Sequence, residues 1–447
     1  MGLSGLDIYK HLPKTNCKEC GFPTCLAFAM QLAAKKVDLG KCPYITEEAK
    51  NSLESASRPP IRLVTVGQGE RKLQIGNETV MFRHEETFYH PCGVAILIED
   101  KEKESVIDEK ISRINNLKFV RVGQEIGVDL LALSYVSKNK GSYLNLVKKA
   151  LSNSELGIIL ICSDADVMKE AISLTKEKKP LLYAATKDNL ESMAGLAKEY
   201  SLPLAIKADT LDELSQLTQK ITSLGVEDLV LDSGGKGLTE KINELTQVRR
   251  LALKKNYRPL GYPTLAFVES DDPYQQMADA ASFIAKYAGI VVINITEPWQ
   301  VLPLLTVRQN IYTDPQKPLQ VEAKVYEVGQ VNDKSPVIIT TNFSLTYYTV
   351  ESEVEASRIP CYIVVSFAEG LSVLTAWAAE KFNADTITKT LDECGIKEKV
   401  SHKEVIIPGY VAVLSGKLEE DSGWKVRVGP KEASGIPSYL KSLKTGS

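Results

Sequence analysis

Eight times between Gly93 and Thr296 the chain repeats one unit: an apolar run of strand length that ends in polar residues and leads into a segment with one apolar face at helical spacing. The runs are GVAILIED (93–100), VDLLALSY (128–135), LGIILICS (156–163), PLLYAAT (180–186), PLAIKA (203–208), DLVLDS (228–233), PTLAFVES (263–270) and GIVVINIT (289–296). Between them lie helical candidates such as DNLESMAGLAKEY and TLDELSQLTQKITSLG. Eight parallel strand–helix units predict a (β/α)8 TIM barrel. Ahead of it, residues 61–88 alternate in polarity around the turn signals GQGE and GN, which predicts a short antiparallel hairpin acting as a lid or plug.

The strand ends carry Glu99 and Asp100, Asp164 and Asp166, Lys187 and Asp188, Asp209, Asp232 with Gly234 and Gly235, Glu269 through Asp272, and Glu297. On a barrel this is the ligand-binding face. Each is also where a following helix needs an N-cap, and Asp is a common cap. The DSGGKG stretch (232–237) could cradle a phosphate with its amides, although it matches neither a P-loop nor a Rossmann glycine pattern.

Before the barrel stand four cysteines, Cys17, Cys20, Cys25 and Cys42, spaced C-x2-C-x4-C-x16-C. Three thiolates within nine residues and a fourth brought back from a distance, followed by Pro43, suit a [4Fe-4S] cluster. Gly21 and Pro23 supply turns, and Thr24 to Val37 reads as the helix that carries the chain away before Cys42 closes the cage. Structural zinc also takes four thiolates but usually as two C-x2-C pairs, and only one such pair exists here; a redox dithiol is the third reading. Cys92, Cys162, Cys361 and Cys394 are scattered singly and read as buried thiols. The module spans residues 1–57, ending in a polar helix (TEEAKNSLESAS) before the break Arg58-Pro59-Pro60. Its core is small, so metal should supply much of its folding free energy.

After the barrel, assigned 58–312 with its hairpin, residues 313–335 carry two prolines and scattered charge and read as a linker. The strand–helix code then restarts over 336–447. PVIITT (336–341) and CYIVVSF (361–367) are strands, while SLTYYTVESEVEASR (344–358) and GLSVLTAWAAEKF (370–382) are helices. A helix (DTITKTLDEC), strands near VIIPGYVAVLSG and WKVRVG, and a last helix starting near Pro430 follow. This predicts an open α/β sheet of flavodoxin-like (Rossmann-type) order, with its crevice at the strand C-termini.

A net charge of −3 with both signs mixed gives no basic footprint for nucleic acid. The start MGLSGLDIYK lacks a signal-peptide pattern and no apolar run reaches membrane-spanning length, so the expectation is a cytoplasmic protein with no membrane partner. Clustered thiols point to a reducing, anaerobic setting.

The cluster motif CKECGFPTC with Cys42, the stretches TTNFSLTYY (340–348) and EGLSV (369–373), and the order of the three domains together resemble one family across the whole chain. That family is the large (gamma) subunit of the corrinoid iron-sulfur protein of the anaerobic acetyl-CoA pathway. The resemblance implies a heterodimer with a smaller barrel subunit and a cobamide held between that partner and the C-terminal domain. It implies a methyl group accepted on Co(I) from methyl-tetrahydrofolate through a separate methyltransferase and delivered to acetyl-CoA synthase/CO dehydrogenase. Stray Co(II) would be returned to Co(I) through the [4Fe-4S] cluster, with a reductive activator as a further partner. By the same resemblance Thr340, Thr346, Gly370, Leu371, Ser372, Val373 and Pro437 are expected cobamide contacts; each could equally be a cap or turn residue. No side chain is expected to do covalent catalysis. Among His11, His84, His90 and His402 none sits in an Asp-x-His-x-x-Gly loop, so the cobamide should bind base-off without a histidine ligand. Two rival readings remain: a barrel that is itself a pterin-dependent methyltransferase using Asp188, Asp209 or Asp232, and an iron-sulfur electron-transfer or docking protein.

Overall fold

The computed structural model describes residues 5–33, 36–46, 49, 53 and 59–445 of the 447-residue chain. Two compact units divide it: one runs to Phe119 and from Gly127 to Tyr312, the other comprises Val120–Ile126 and the chain from Thr313 onward.

In the first unit the cysteine-rich module is built on the helices Gly5–His11 and Cys25–Ala33 and a single 3-10 turn, Leu39–Lys41. The second helix was expected to run to Val37, but Lys36 and Val37 lie in a bend. Ile8, Leu12, Phe28, Ala29 and Leu53 make a small core that also takes in Cys25 and Cys42. The polar helix expected over 46–57 falls mostly on residues outside those described.

The hairpin follows as β1 (Val64–Val66) and β2 (Leu73–Ile75), antiparallel with Val64 opposite Ile75. Its inward residues Val64, Val66 and Ile75 are fully buried in the same cluster as barrel residues Leu130, Ala132 and Ile159. The amides of Arg62 and Gly67 donate to the carbonyls of Gly261 and Lys179, which lie just ahead of barrel strands, at 2.9 Å each. The hairpin is therefore a plug in the floor of the barrel, not a lid over its mouth.

The barrel opens with β3 (Gly93–Glu99). A second hairpin, β4 (Lys118–Arg121) and β5 (Gln124–Gly127), interrupts the code before β6 (Leu130–Ser134); it was not expected from the sequence, and its tip belongs to the second unit. Then come β7 (Gly157–Ile161), β8 (Leu181–Ala185), β9 (Leu204–Ala208), β10 (Leu229–Ser233), β11 (Leu265–Phe267) and β12 (Ile290–Ile293). All eight predicted barrel strands are present and parallel, in the order β10-β9-β8-β7-β6-β3-β12-β11. The parallel bridge between Leu231 and Thr264 joins β10 to β11 and brings the ring close to closure.

The second unit is a mixed five-stranded sheet, ordered β13-β15-β14-β16-β17. Its strands are β13 (Val325–Val328), β14 (Val337–Thr341), β15 (Cys361–Ser366), β16 (Glu404–Ile407) and β17 (Lys425–Val428). The stretch 313–335, expected to be a linker, thus contributes an edge strand. That strand runs antiparallel to β15, so the sheet is mixed where an open flavodoxin-like sheet was expected. Helices Ser344–Ser357 and Ile436–Thr445 carry residues of one core cluster with Ile338 and Ile406. Helices Val373–Ala378, Ala384–Glu393 and Ser415–Ser422 share the other with Ile339 and Ile407. The sheet is covered on both faces, which is why its central strands read as unbroken apolar runs.

Three boundaries moved. The helix expected over 370–382 is only Val373–Ala378, because Glu369 and Gly370 (φ +55° and +73°) and Glu380 (φ +59°) are left-handed and break it at both ends. Beyond it, Asn383 and Thr386 form a reciprocal capping box that starts a fresh helix. GYVAVL (409–414) is a 3-10 turn rather than strand, and the last helix begins at Ile436, not near Pro430.

Candidate functional site

Two sites emerge, one in each unit. In the first, Asn16, Lys18 and Gly21 are left-handed (φ +51°, +67° and +84°), so the backbone coils tightly through Cys17 and Cys20. Asn16 ties the coil to the helix start: its side-chain oxygen accepts from the Cys25 amide at 2.8 Å, and its own amide points at Cys25 Sγ at 3.4 Å. Asp38 caps the turn Leu39–Lys41 through the Gly40 amide, and the Cys42 amide donates to Leu39, which brings the fourth thiol back. Cys17 is exposed, Cys20 half-buried, Cys25 and Cys42 buried. Burial pushes the Cys42 thiol up; the backbone at Tyr44 opposes this, and the charges of Cys20, Cys25 and Cys17 reinforce it. All four thiols therefore share one neighbourhood. Among the described residues no three His, Cys, Asp or Glu side chains stand at metal-ligating distances. The donor set still fits an iron-sulfur group: four sulfurs, an amide aimed at one of them, and an apolar shell of Ile8, Leu12 and Phe28.

In the second unit the strand order reverses between β14 and β16, and a cavity of about 130 Å³ opens at the carboxyl ends of these two strands. Ile338 and Thr340 wall it on one side, Ile406 and Pro408 on the other, and Ile436 and Tyr439 from the last helix cover it. Thr346 and Val373 line it too. Thr340 is 1% exposed, and neither its hydroxyl nor that of Thr341 finds a hydrogen-bond partner among the described residues. A buried orphan hydroxyl costs about 1–3 kcal/mol, so an acceptor or donor arriving with a ligand would be rewarded here.

Of the seven residues expected to touch a cobamide, Thr340, Thr346 and Val373 line this cavity. Gly370, Leu371 and Ser372 form the turn leading to Val373, and Pro437 lies in the last helix without lining it. The turn is held by a residue the sequence reading passed over. Asn342, 1% exposed, accepts from the Ala368 and Gly370 amides through Oδ1 (2.9 and 3.0 Å) and donates through Nδ2 to Gln320 (2.9 Å). Gly409 and Gly429 were also passed over. A Cβ on Gly409 would stand 2.6 Å from the Gly429 carbonyl, so the loops after β16 and β17 can only meet as glycines. His402 lies at the opposite end of the sheet, bonded through Nε2 to the Ser335 carbonyl.

Around the same strand ends lies a set of exposed apolar side chains: Phe367, Leu374, Trp377, Tyr410 and Val413, with Val413 74% and Phe367 61% exposed. An apolar surface next to an apolar cavity suits a large flat ligand or a partner.

The barrel mouth is different, because several of its acids are already in use. Asp232 is buried, accepting from the Tyr183 hydroxyl at 2.5 Å and from Lys241 at 3.0 Å. Asp164 and Asp272 cap helices, and Asp100 accepts from the Val136 and Ser137 amides. The DSGGKG amides do not stand free for a phosphate: Gly235 and Lys236 donate to Glu244 and Glu240, at 2.9 Å each. Asp188 and Asp209 are exposed on the rim.

The model for "CO dehydrogenase/acetyl-CoA synthase delta subunit" matches residues 63–440, and a model for an Fe-S cluster matches residues 12–44. The corrinoid/iron-sulfur protein large subunit of Moorella thermoacetica is 45% identical over 442 residues, 99% of each chain. The acetyl-CoA decarbonylase/synthase complex subunit gamma of Methanothermobacter thermautotrophicus is 36% identical over 456 residues, again 99% of each. That of Methanocaldococcus jannaschii is 31% identical, covering 98% of this chain and 96% of its own.

Proposed function

Since the chain belongs to the family of the CO dehydrogenase/acetyl-CoA synthase corrinoid subunits, we propose that it is a methyl carrier: it holds a cobamide in its C-terminal unit and a [4Fe-4S] cluster at Cys17, Cys20, Cys25 and Cys42. The observation that carries the corrinoid half is the cavity at the strand-order reversal with the unpartnered Thr340 hydroxyl in its wall. Leaving aside the antiparallel β13, the parallel strands run in the order second, first, third, fourth, which supports a flavodoxin-like reading of this domain.

Corrinoid cobalt, when bound, supplies the nucleophile that takes up and gives away a methyl group. This chain supplies the bed. The turn Gly370–Val373, pinned by Asn342, would offer backbone to the ring, Thr346 and Thr340 would offer hydroxyls, and the cavity between β14 and β16 would hold the lower base. The half-exposed face around Phe367, Trp377 and Val413 is left for a smaller partner subunit to cover. Cys17, Cys20, Cys25 and Cys42 would hold a cluster able to supply the single electron that restores a stray oxidised carrier. The methyl donor side is a separate methyltransferase acting on methyl-tetrahydrofolate, the acceptor side acetyl-CoA synthase, and a reductive activator feeds the cluster.

The test is an absorbance spectrum with cobalt and iron counts on anaerobically purified protein. The expected result is about one cobalt and four iron per chain, with a base-off corrinoid spectrum. Iron without cobalt would favour a plain electron-transfer protein and sink the methyl-carrier reading.

A further inference from the structure

The seam between the sheet and the last helix holds a second cavity. It lies at the amino ends of the strands, measures about 610 Å³, and is lined by Pro336 and Val337 from the start of β14, Glu404 from the start of β16, and Leu440 and Leu443 from the helix. Ile406 lines both this cavity and the smaller one at the carboxyl ends. It is therefore the wall between them.

Three observations make that wall firm. Ile406 is 5% exposed and faces Ile338, also buried, across the one registered pair that joins β14 to β16. Being β-branched, it has little χ1 freedom. Its Cγ2 lies where Gly429 has no side chain: a Cβ built on Gly429 would stand 2.9 Å from it. On one side of this waist a cavity of about 130 Å³ has the size of spaces known to take a single aromatic ring. On the other side there is several times that room.

We infer that Ile406 sets how long a lower base the C-terminal unit accepts, by closing the inner end of the base pocket against the larger space behind it. The inference rests on the reading that this unit binds a cobamide with its base in the small cavity. A two-ring base seats its inner ring in the pocket, against the Ile406 side chain, and leaves its outer ring at the mouth. A base longer by one fused ring meets the sec-butyl wall of Ile406, and only removal of that wall lets it run on into the space beyond.

The test uses the full chain, co-purified with its partner subunit, freed of corrinoid and reloaded. Wild type, Ile406→Ala and Ile406→Val are each titrated with a benzimidazolyl cobamide, a naphthimidazolyl cobamide and cobinamide, which has no lower base. Wild type should prefer the benzimidazolyl over the naphthimidazolyl form by about 10-fold or more, a discrimination that a rigid apolar wall can supply. Ile406→Ala should bring the two near parity, and Ile406→Val should fall between. Unchanged cobinamide affinity and iron content show that the variants are folded; Ile406→Val, which deletes one methyl, keeps the trend readable if Ile406→Ala does not fold. An unaltered ratio in variants that bind cobinamide normally would overturn the inference and leave the corrinoid reading standing. So would cobinamide binding as tightly as the complete cobamides to wild type, since the base would then not be in the pocket. Failure of all three ligands to bind wild type would overturn the functional reading itself, and this inference with it.

Discussion

Gly370 is the residue on which the proposed corrinoid bed turns. Its φ of +73° is a conformation that costs an L-residue about 1–2 kcal/mol, and a Cβ there would stand 2.7 Å from Gln320 Cγ. Gly370→Val should therefore weaken cobamide retention by about 10-fold while iron content stays at the wild-type value, because the cysteines lie in the other unit. Metal analysis of the two proteins checks this; unchanged cobalt would remove the ring from this turn, and parallel loss of both metals would mean a folding defect. Asn342 shows where reading by residue type stops. It sits in the quoted stretch TTNFSLTYY, yet its role depends on two amides more than 25 positions downstream, and no local pattern announces such a partner. Thr340 was legible because it ends a strand that could be read as a strand.

At the level of elements, the cysteine loop makes the sharpest prediction. Cys20→Ala removes one of four thiolates, so the cluster should be lost or degraded while the barrel folds and cobalt stays. Methylation of pre-reduced carrier should persist, and reactivation by a low-potential reductant should fail; intact reactivation would show that the module has another role. In the iron-free wild type, alkylation should reach exposed Cys17 first and buried Cys25 and Cys42 last. Because burial holds the Cys42 thiol protonated above its ordinary range, reloading with iron must expel that proton. Reconstitution should therefore quicken as pH rises and slow as it falls, which a pH series of iron uptake would read out. The barrel strands were legible because most of their residues are buried and each reads as an apolar run. The hairpin β4–β5 was not, since half of the residues of KFVR and QEIG are charged or polar and half are exposed. β13 hid for the same reason: VYEV is a half-exposed edge strand among prolines and charges. The helix over 370–382 has helical composition throughout, and the left-handed residues Glu369, Gly370 and Glu380 cut it short, Gly370 held by the distant Asn342.

At the scale of the whole molecule, the division into two units has a thermodynamic signature. Unfolding should not be a single two-state event, and a ligand that binds one unit raises the stability of that unit by mass action. Calorimetry on the corrinoid-free chain should show two transitions. At cobamide concentrations near 100 times Kd, one should gain about 2.7 kcal/mol and the other should hardly move. A shift of both transitions together would mean that the units are energetically coupled. The floor of the barrel has a different consequence, one of timing. Residues 61–76 leave the ribosome before any barrel strand, yet the carbonyls they dock on, at Lys179 and Gly261, are made roughly 100 and 200 residues later. The earliest part of the barrel domain to be synthesised thus waits for its last backbone seat, and a nascent chain arrested before β6 would carry its apolar plug residues, Val64, Val66 and Ile75, without Leu130, Ala132 and Ile159 to bury them against.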